Sequence, residues 1–160
     1  VLNGPSNTIF ATYREVSQSG NDGLFQNGAE NAGKLLYLLR SAPTIGPSLF
    51  DLPFTNVLRT NLSTDFNVVN ETVIMSLDHN GTSGSIRRNG TNQTGPTAPV
   101  GSYDCGGGLL HIGRYFFGVS AYPNDGDYFD GQLGDFLYFD GVLSAADREL
   151  VQCYLSNRYN

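Results

Sequence analysis

The sequence holds a single lysine, Lys34, and only nine basic residues against fifteen acids over 160 residues, a formal charge of −6. No basic stripe is available to follow a phosphate backbone, Arg87 and Arg88 being a local pair, so nucleic acid is not an expected partner. Long apolar runs are missing as well. The longest, LLYLL at 35–39 and FLYF at 136–139, fall far short of the roughly 20 residues a membrane-crossing helix requires, and no membrane insertion is expected. The opening VLNGPSNTIF has no basic region, apolar run or cleavage site of a signal peptide, which fits a mature product, an excised domain or export by another route. Two cysteines, Cys105 and Cys153, are too few for a disulfide scaffold. In an extracellular setting they pair, tying a Gly-rich loop to the C-terminal segment and adding roughly 3–5 kcal/mol on a chain-entropy argument. The alternative is two free buried thiols.

What the chain does hold is turn chemistry. Twenty glycines and seven prolines are spread among the apolar runs, and Asn, Ser and Thr supply a neutral polar surface of the kind found on extracellular domains. A chain of this length can bury about two-thirds of its surface and fold as one unit, and with no repeat or boundary in view a single domain over 1–160 is expected. Strands are predicted at Thr8–Tyr13, Gly23–Phe25, Lys34–Arg40, Thr72–Asp78, Ser83–Arg88, Leu109–Ile112, Phe116–Ala121 and Gln132–Phe139. Pro43, Pro47 and Pro53 leave room for short edge strands at most between Ser41 and Leu58. Asn80-Gly81 and Asn89-Gly90 supply hairpin turns. From Ser144 the period changes to that of a helix capped by Ser144 and Asp147, with Leu150, Val151, Tyr154, Leu155 and Arg158 or Tyr159 as its sheet-facing stripe. About ten strands and one terminal helix make an all-β, antiparallel fold, because parallel crossovers need helices that are not there.

The ending from Phe129 to Tyr159, a Gly-led strand GQLGDFLYFDGVLS running into a Leu-Ser helix start, resembles the close of laminin-G-like domains in the concanavalin A-like lectin and glucanase superfamily. Thr8-Ile-Phe-Ala is similar to the opening core strand of that family, Ile86-Arg-Arg-Asn-Gly-Thr91 to the strand ending in an Asn-Gly turn, and Gly108-Leu-Leu-His-Ile-Gly-Arg114 to the next. The resemblance implies a jelly-roll sandwich of two antiparallel sheets with one short C-terminal α-helix. It also implies ligand contact at rim loops or on a concave sheet face, in some members with calcium; fold alone does not choose a function.

The glucanases of that superfamily carry Glu-x-Asp-x-x-Glu or Glu-x-Asp-x-Glu on one strand, whereas the glutamates here are Glu15, Glu30, Glu71 and Glu149, each in a different segment. A glycosidase holds two carboxylates about 5–9 Å apart, and Asp65 with Glu71 stays open as such a pair. His79 and His111 stand alone, without HExxH spacing, no GxSxG elbow occurs, and Gly106–Gly108 are turn residues. No enzyme is expected on these grounds. Asp125, Asp127 and Asp130 offer alternating hard oxygens suited to calcium, or else are solvent-facing turn acids. Arg114, Tyr115, Tyr122 and Tyr128 combine rings and polar groups for stacking on sugars, or pack as ordinary strand-end residues. Asn61, Asn70, Asn80, Asn89 and Asn92 head five N-x-[ST] sequons, either glycosylated or simply turn residues.

The reading is a non-catalytic extracellular or surface-associated recognition or adhesion module whose ligand is a glycan or protein. The alternative is a structural subunit of a surface assembly, filament or virion, a homo-oligomer packing through Leu49, Phe50, Leu52 and Phe54; a glycoside hydrolase ranks below both.

Overall fold

A computed structural model describes residues 6–17, 21–27, 35–41, 48–50, 57–59, 69–80, 84–92, 110–113 and 128–159. They form β1 Asn7–Glu15, β2 Asn21–Asn27, β3 Leu35–Ser41, β4 Ser48–Phe50, β5 Val57–Arg59, β6 Thr72–His79, β7 Gly84–Arg88, β8 Thr91–Asn92, β9 Leu110–Ile112, β10 Gly131–Asp140 and α1 Ala145–Tyr159. One sheet has the order β10-β1-β6-β7-β8 and the other β5-β4-β3-β2-β9. Every pairing among the described residues is antiparallel. The all-β expectation with one C-terminal helix holds. The proline-rich stretch yields only the three-residue β4 and β5, as the missing N–H of proline dictates, and the strand expected at Phe116–Ala121 lies outside the described residues.

β1 sets the layering. Burial along it does not alternate, since Asn7 through Tyr13 are all buried, and a strand shows that pattern when both of its faces are covered. Ile9, Ala11 and Tyr13 join Val73, Met75, Leu77 and Ile86 in one core, which also takes in Leu24 and Phe25 of β2 from the other sheet. Phe10 points the other way and packs with Ile74 against Leu155 of α1. The β10-β1-β6 sheet is thus covered by β2 on one face and by the helix on the other.

Two bulges fit this arrangement. Gly23 faces Leu39 while Phe25 faces Leu38, so β2 carries an extra residue at Leu24. That accounts for two successive side chains entering the same core. Phe25 meets Phe136 edge-on with ring centroids 4.8 Å apart. In β10, Ala11 faces Phe136 while Tyr13 faces Leu133, so Gly134 and Asp135 together oppose Thr12. A Cβ on Gly134 would lie 2.7 Å from Cζ of Tyr159, so glycine is what lets the last turn of α1 settle on the bulge.

Asn89 and Gly90 have φ of 48° and 79°, the pair of positive values a two-residue type I′ hairpin needs. The turn is also stitched to β6: the Ile74 N–H donates to Asn89 Oδ1 at 2.8 Å, and the Asn89 N–H donates to the Ile74 carbonyl at 2.8 Å.

Helix α1 starts as expected. The Asp147 N–H donates to Ser144 Oγ at 3.1 Å and the Ser144 hydroxyl donates to Asp147 Oδ2 at 2.6 Å, occupying an otherwise orphaned helix donor. The expected stripe holds at Val151, Leu155 and Tyr159 and needs correcting at Leu150 and Tyr154. Leu155 is fully buried, and Val151 and Tyr159 pack beside it, but Leu150 is 69% and Tyr154 52% exposed. The i, i+4 row 151-155-159 meets the sheet, and residues one position earlier are rotated about 100° away from it.

Candidate functional site

The residues that sequence reasoning selected are only partly within the described structure. Arg114, Tyr115, Tyr122, Asp125, Asp127, Cys105 and Asn61 lie outside it, as do Asp65, Leu52 and Phe54. Tyr128 is 51% exposed and stands at the entry to β10. Asp130, also exposed, accepts a hydrogen bond from the Ser17 hydroxyl, while its carbonyl takes the Val16 N–H at 2.9 Å. Among the described residues no group of three potential metal ligands occurs. Cys153 is an exposed free thiol on α1. Asn70, Asn80, Asn89 and Asn92 are all exposed, Asn70 in a left-handed turn with φ 65°.

The rim at Tyr128–Asp130 leads directly onto an open stretch of the sheet. Helix α1 covers Phe10 and Ile74 but ends at Tyr159, and beyond it a cleft of about 510 Å³ is lined by Thr12, Arg14, Thr72, Gln132, Gly134 and Tyr159. Arg14 is the direct cross-strand neighbour of Thr72 on one side and of Gln132 on the other. These three side chains form a row of donors and acceptors across β6, β1 and β10, spaced by the roughly 5 Å of adjacent strands. Tyr159 closes one end with its ring against Gly134. Thr12 on the floor has a buried hydroxyl with no hydrogen-bond partner among the described residues, which in an apolar setting costs about 1–3 kcal/mol.

A guanidinium, an amide, hydroxyls and a half-buried aromatic ring are the groups that hold a polyhydroxylated ligand. Gathered in one cleft, they are groups able to bind such a ligand. Next to it, Arg158 pairs with Asp135 at 3.3 Å. Its guanidinium is held above its ordinary pKa by hydrogen bonds to Tyr159 and Tyr154 and by the Asp135 charge.

A second cleft, about 430 Å³, lies at the other end of α1 and includes Ser76, Arg87, Arg148, Glu149 and Cys153. Its charges answer one another. Asp78 accepts from Arg87 and, at 2.9 Å to each oxygen, from the Ser85 hydroxyl, and Arg148 Nη1 stands 3.9 Å from Asp78 Oδ2. The buried acid anchors two arginines in place.

Sequence reasoning stopped at Asp130, two residues before the cleft. Gln132 was within the expected strand and Tyr159 within the expected helix stripe, but Arg14 and Thr72 come from segments far apart in sequence and meet Gln132 only through strand register, and Tyr159 reaches them only because the helix packs on Gly134. One signal was present: Arg14 ends the otherwise β-branched and aromatic run TIFATYR with a charge.

No family model matches the chain, and no curated protein matches it. Among solved structures it is similar to a mutant of Trypanosoma rangeli sialidase displaying trans-sialidase activity, with a TM-score of 0.61 and 15% identity over 94% of this chain. The match takes in 23% of that protein's chain. At this identity the likeness shows a shared β-rich fold, one that occurs in a carbohydrate-active enzyme. It corrects the expectation that no enzyme is present. The missing glucanase strand removes one arrangement of carboxylates only, and the matched structure is itself a sialidase.

Proposed function

We propose that the chain is a glycan-recognising domain of the laminin-G-like, jelly-roll kind, a single unit over 1–160 acting outside the cell or at a cell or virion surface. The observation that carries this reading is the Thr72–Arg14–Gln132 row beside the Tyr159 ring. It offers directional polar groups at the spacing of adjacent strands and one aromatic ring, a combination suited to hydroxyl-rich ligands. The shared fold with part of a sialidase supports the same ligand class.

A glycan array spanning neutral and sialylated saccharides tests it, run with calcium and with a chelator. Binding that is lost in Y159A and Q132A, with unchanged thermal unfolding, is the expected result. Retention of no saccharide at all would sink the reading. Calcium-dependent retention that disappears in D130N would bring the 125–130 loop into the site as a metal-holding rim.

A further inference from the structure

Nearly all the arginines among the described residues are answered by an acid. Among those whose side chains the structure describes, Arg87 and Arg148 face Asp78, Arg88 Nη2 meets Glu71 at 2.8 Å, and Arg158 meets Asp135. Arg14 alone has no carboxylate and no hydrogen-bond partner. Among the described residues it is also the only charged side chain lining the 510 Å³ cleft, where its neighbours are Thr72, Gln132 and Tyr159. On a chain of net charge −6, a cation in a cleft that pairs with no acid among the described residues is a place for an anion brought by a ligand.

We infer that this cleft selects acidic saccharides, with the Arg14 guanidinium receiving a sugar carboxylate while Thr72 and Gln132 on either side take ring hydroxyls. A planar guanidinium matches a carboxylate through two parallel N–H donors, and hydrogen bonds of this charge-assisted type are about twice as strong as neutral ones. Because Arg14 is exposed, the pairing is screened by salt. The inference rests on the glycan reading above and deepens it by assigning the ligand's charge.

The test uses two probes that differ only at C6, methyl β-glucuronide and methyl β-glucoside, titrated into the ¹⁵N-labelled chain at low salt while amide shifts are followed. The expected result is that both probes move the amides of Arg14, Thr72, Gln132 and Gly134, with the glucuronide binding about tenfold more tightly. Half-molar salt should shrink the difference, R14Q should reduce it to less than twofold, and R14K should keep part of it. Equal affinity for the two probes, or a preference that survives R14Q, would overturn the acidic assignment while leaving glycan recognition standing. Absence of shifts with either probe would overturn both. Glucose 6-sulfate binding more tightly than the glucuronide would overturn the assignment to a carboxylate.

Discussion

Replacing Leu155 and Leu150 separately by alanine tests how the helix sits on the sheet, and with it where the cleft begins. Leu155 is fully buried between Phe10 of β1 and Ile74 of β6. Both neighbours belong to strands held on two sides, so they cannot collapse into the space left by L155A. Leu→Ala at such a site costs about 2–5 kcal/mol, and with little relaxation open to the surroundings the upper half of that range, about 3–4 kcal/mol, is expected. Leu150 is 69% exposed, and L150A should stay within about 0.5 kcal/mol of the parent. In urea, with a slope near 2 kcal/mol per molar, L155A lowers the midpoint by about 1.5–2 M and L150A leaves it nearly fixed. The sequence treats the two leucines alike, since both fall in the apolar part of the helix. Equal losses for the two variants, or a larger one for L150A, would refute the helix register and displace Tyr159 from Gly134.

Three further outcomes follow from the same packing. G134A places a methyl against the ring of Tyr159; the flexible ring yields, so stability should fall by only about 1–2 kcal/mol, while saccharide binding measured by calorimetry is lost as the displaced ring fills the cleft. S144A removes the acceptor of the Asp147 N–H and should cost about 1 kcal/mol in thermal or denaturant unfolding. G90A forces an alanine to φ near 79° and should destabilise by about 1 kcal/mol, seen as earlier hydrogen exchange at the Asn89 and Ile74 amides than elsewhere in β6.

Much of the fold could be read from local pattern because the local pattern is what fixes it. Thr8–Tyr13, Lys34–Arg40, Thr72–Asp78 and Gln132–Phe139 return as β1, β3, β6 and β10 with ends shifted by a residue or two. Asn89-Gly90 forms its hairpin and Ser144 its cap. What could not be read depends on the other side of each element. The helix stripe went astray at Leu150 and Tyr154 because their apolar character says nothing about which way the helix is rotated. The cleft stayed hidden for a related reason: Thr72, Arg14 and Gln132 are neighbours only by cross-strand register, and Gly134 looks like any strand glycine until the bulge brings Tyr159 onto it. A row of side chains across a sheet face has no contiguous motif, whereas the Asp125–Asp130 segment does. Sequence reading therefore pointed to the loop and missed the surface next to it.

The two clefts flanking α1 hold arginines of two kinds, those paired with Asp78 and the unpaired Arg14 of the proposed site, and Asp78 provides the test. Its carboxylate is 12% exposed and the Arg87 and Arg148 side chains 20%. Neutralising it in D78N keeps an acceptor for Ser85 but leaves two cations facing no charge. Breaking a wholly buried pair costs about 3–5 kcal/mol, and partial exposure discounts that here to about 1–3 kcal/mol. The loss should be larger at low salt, because the freed arginines then repel each other with less screening. R14Q, by contrast, removes a cation that has no partner among the described residues, and should leave the unfolding midpoint within error at any salt. If R14Q destabilises the chain as much as D78N does, Arg14 is held by a structural acid, and the cleft beyond Tyr159 loses the free charge on which the proposed selectivity depends.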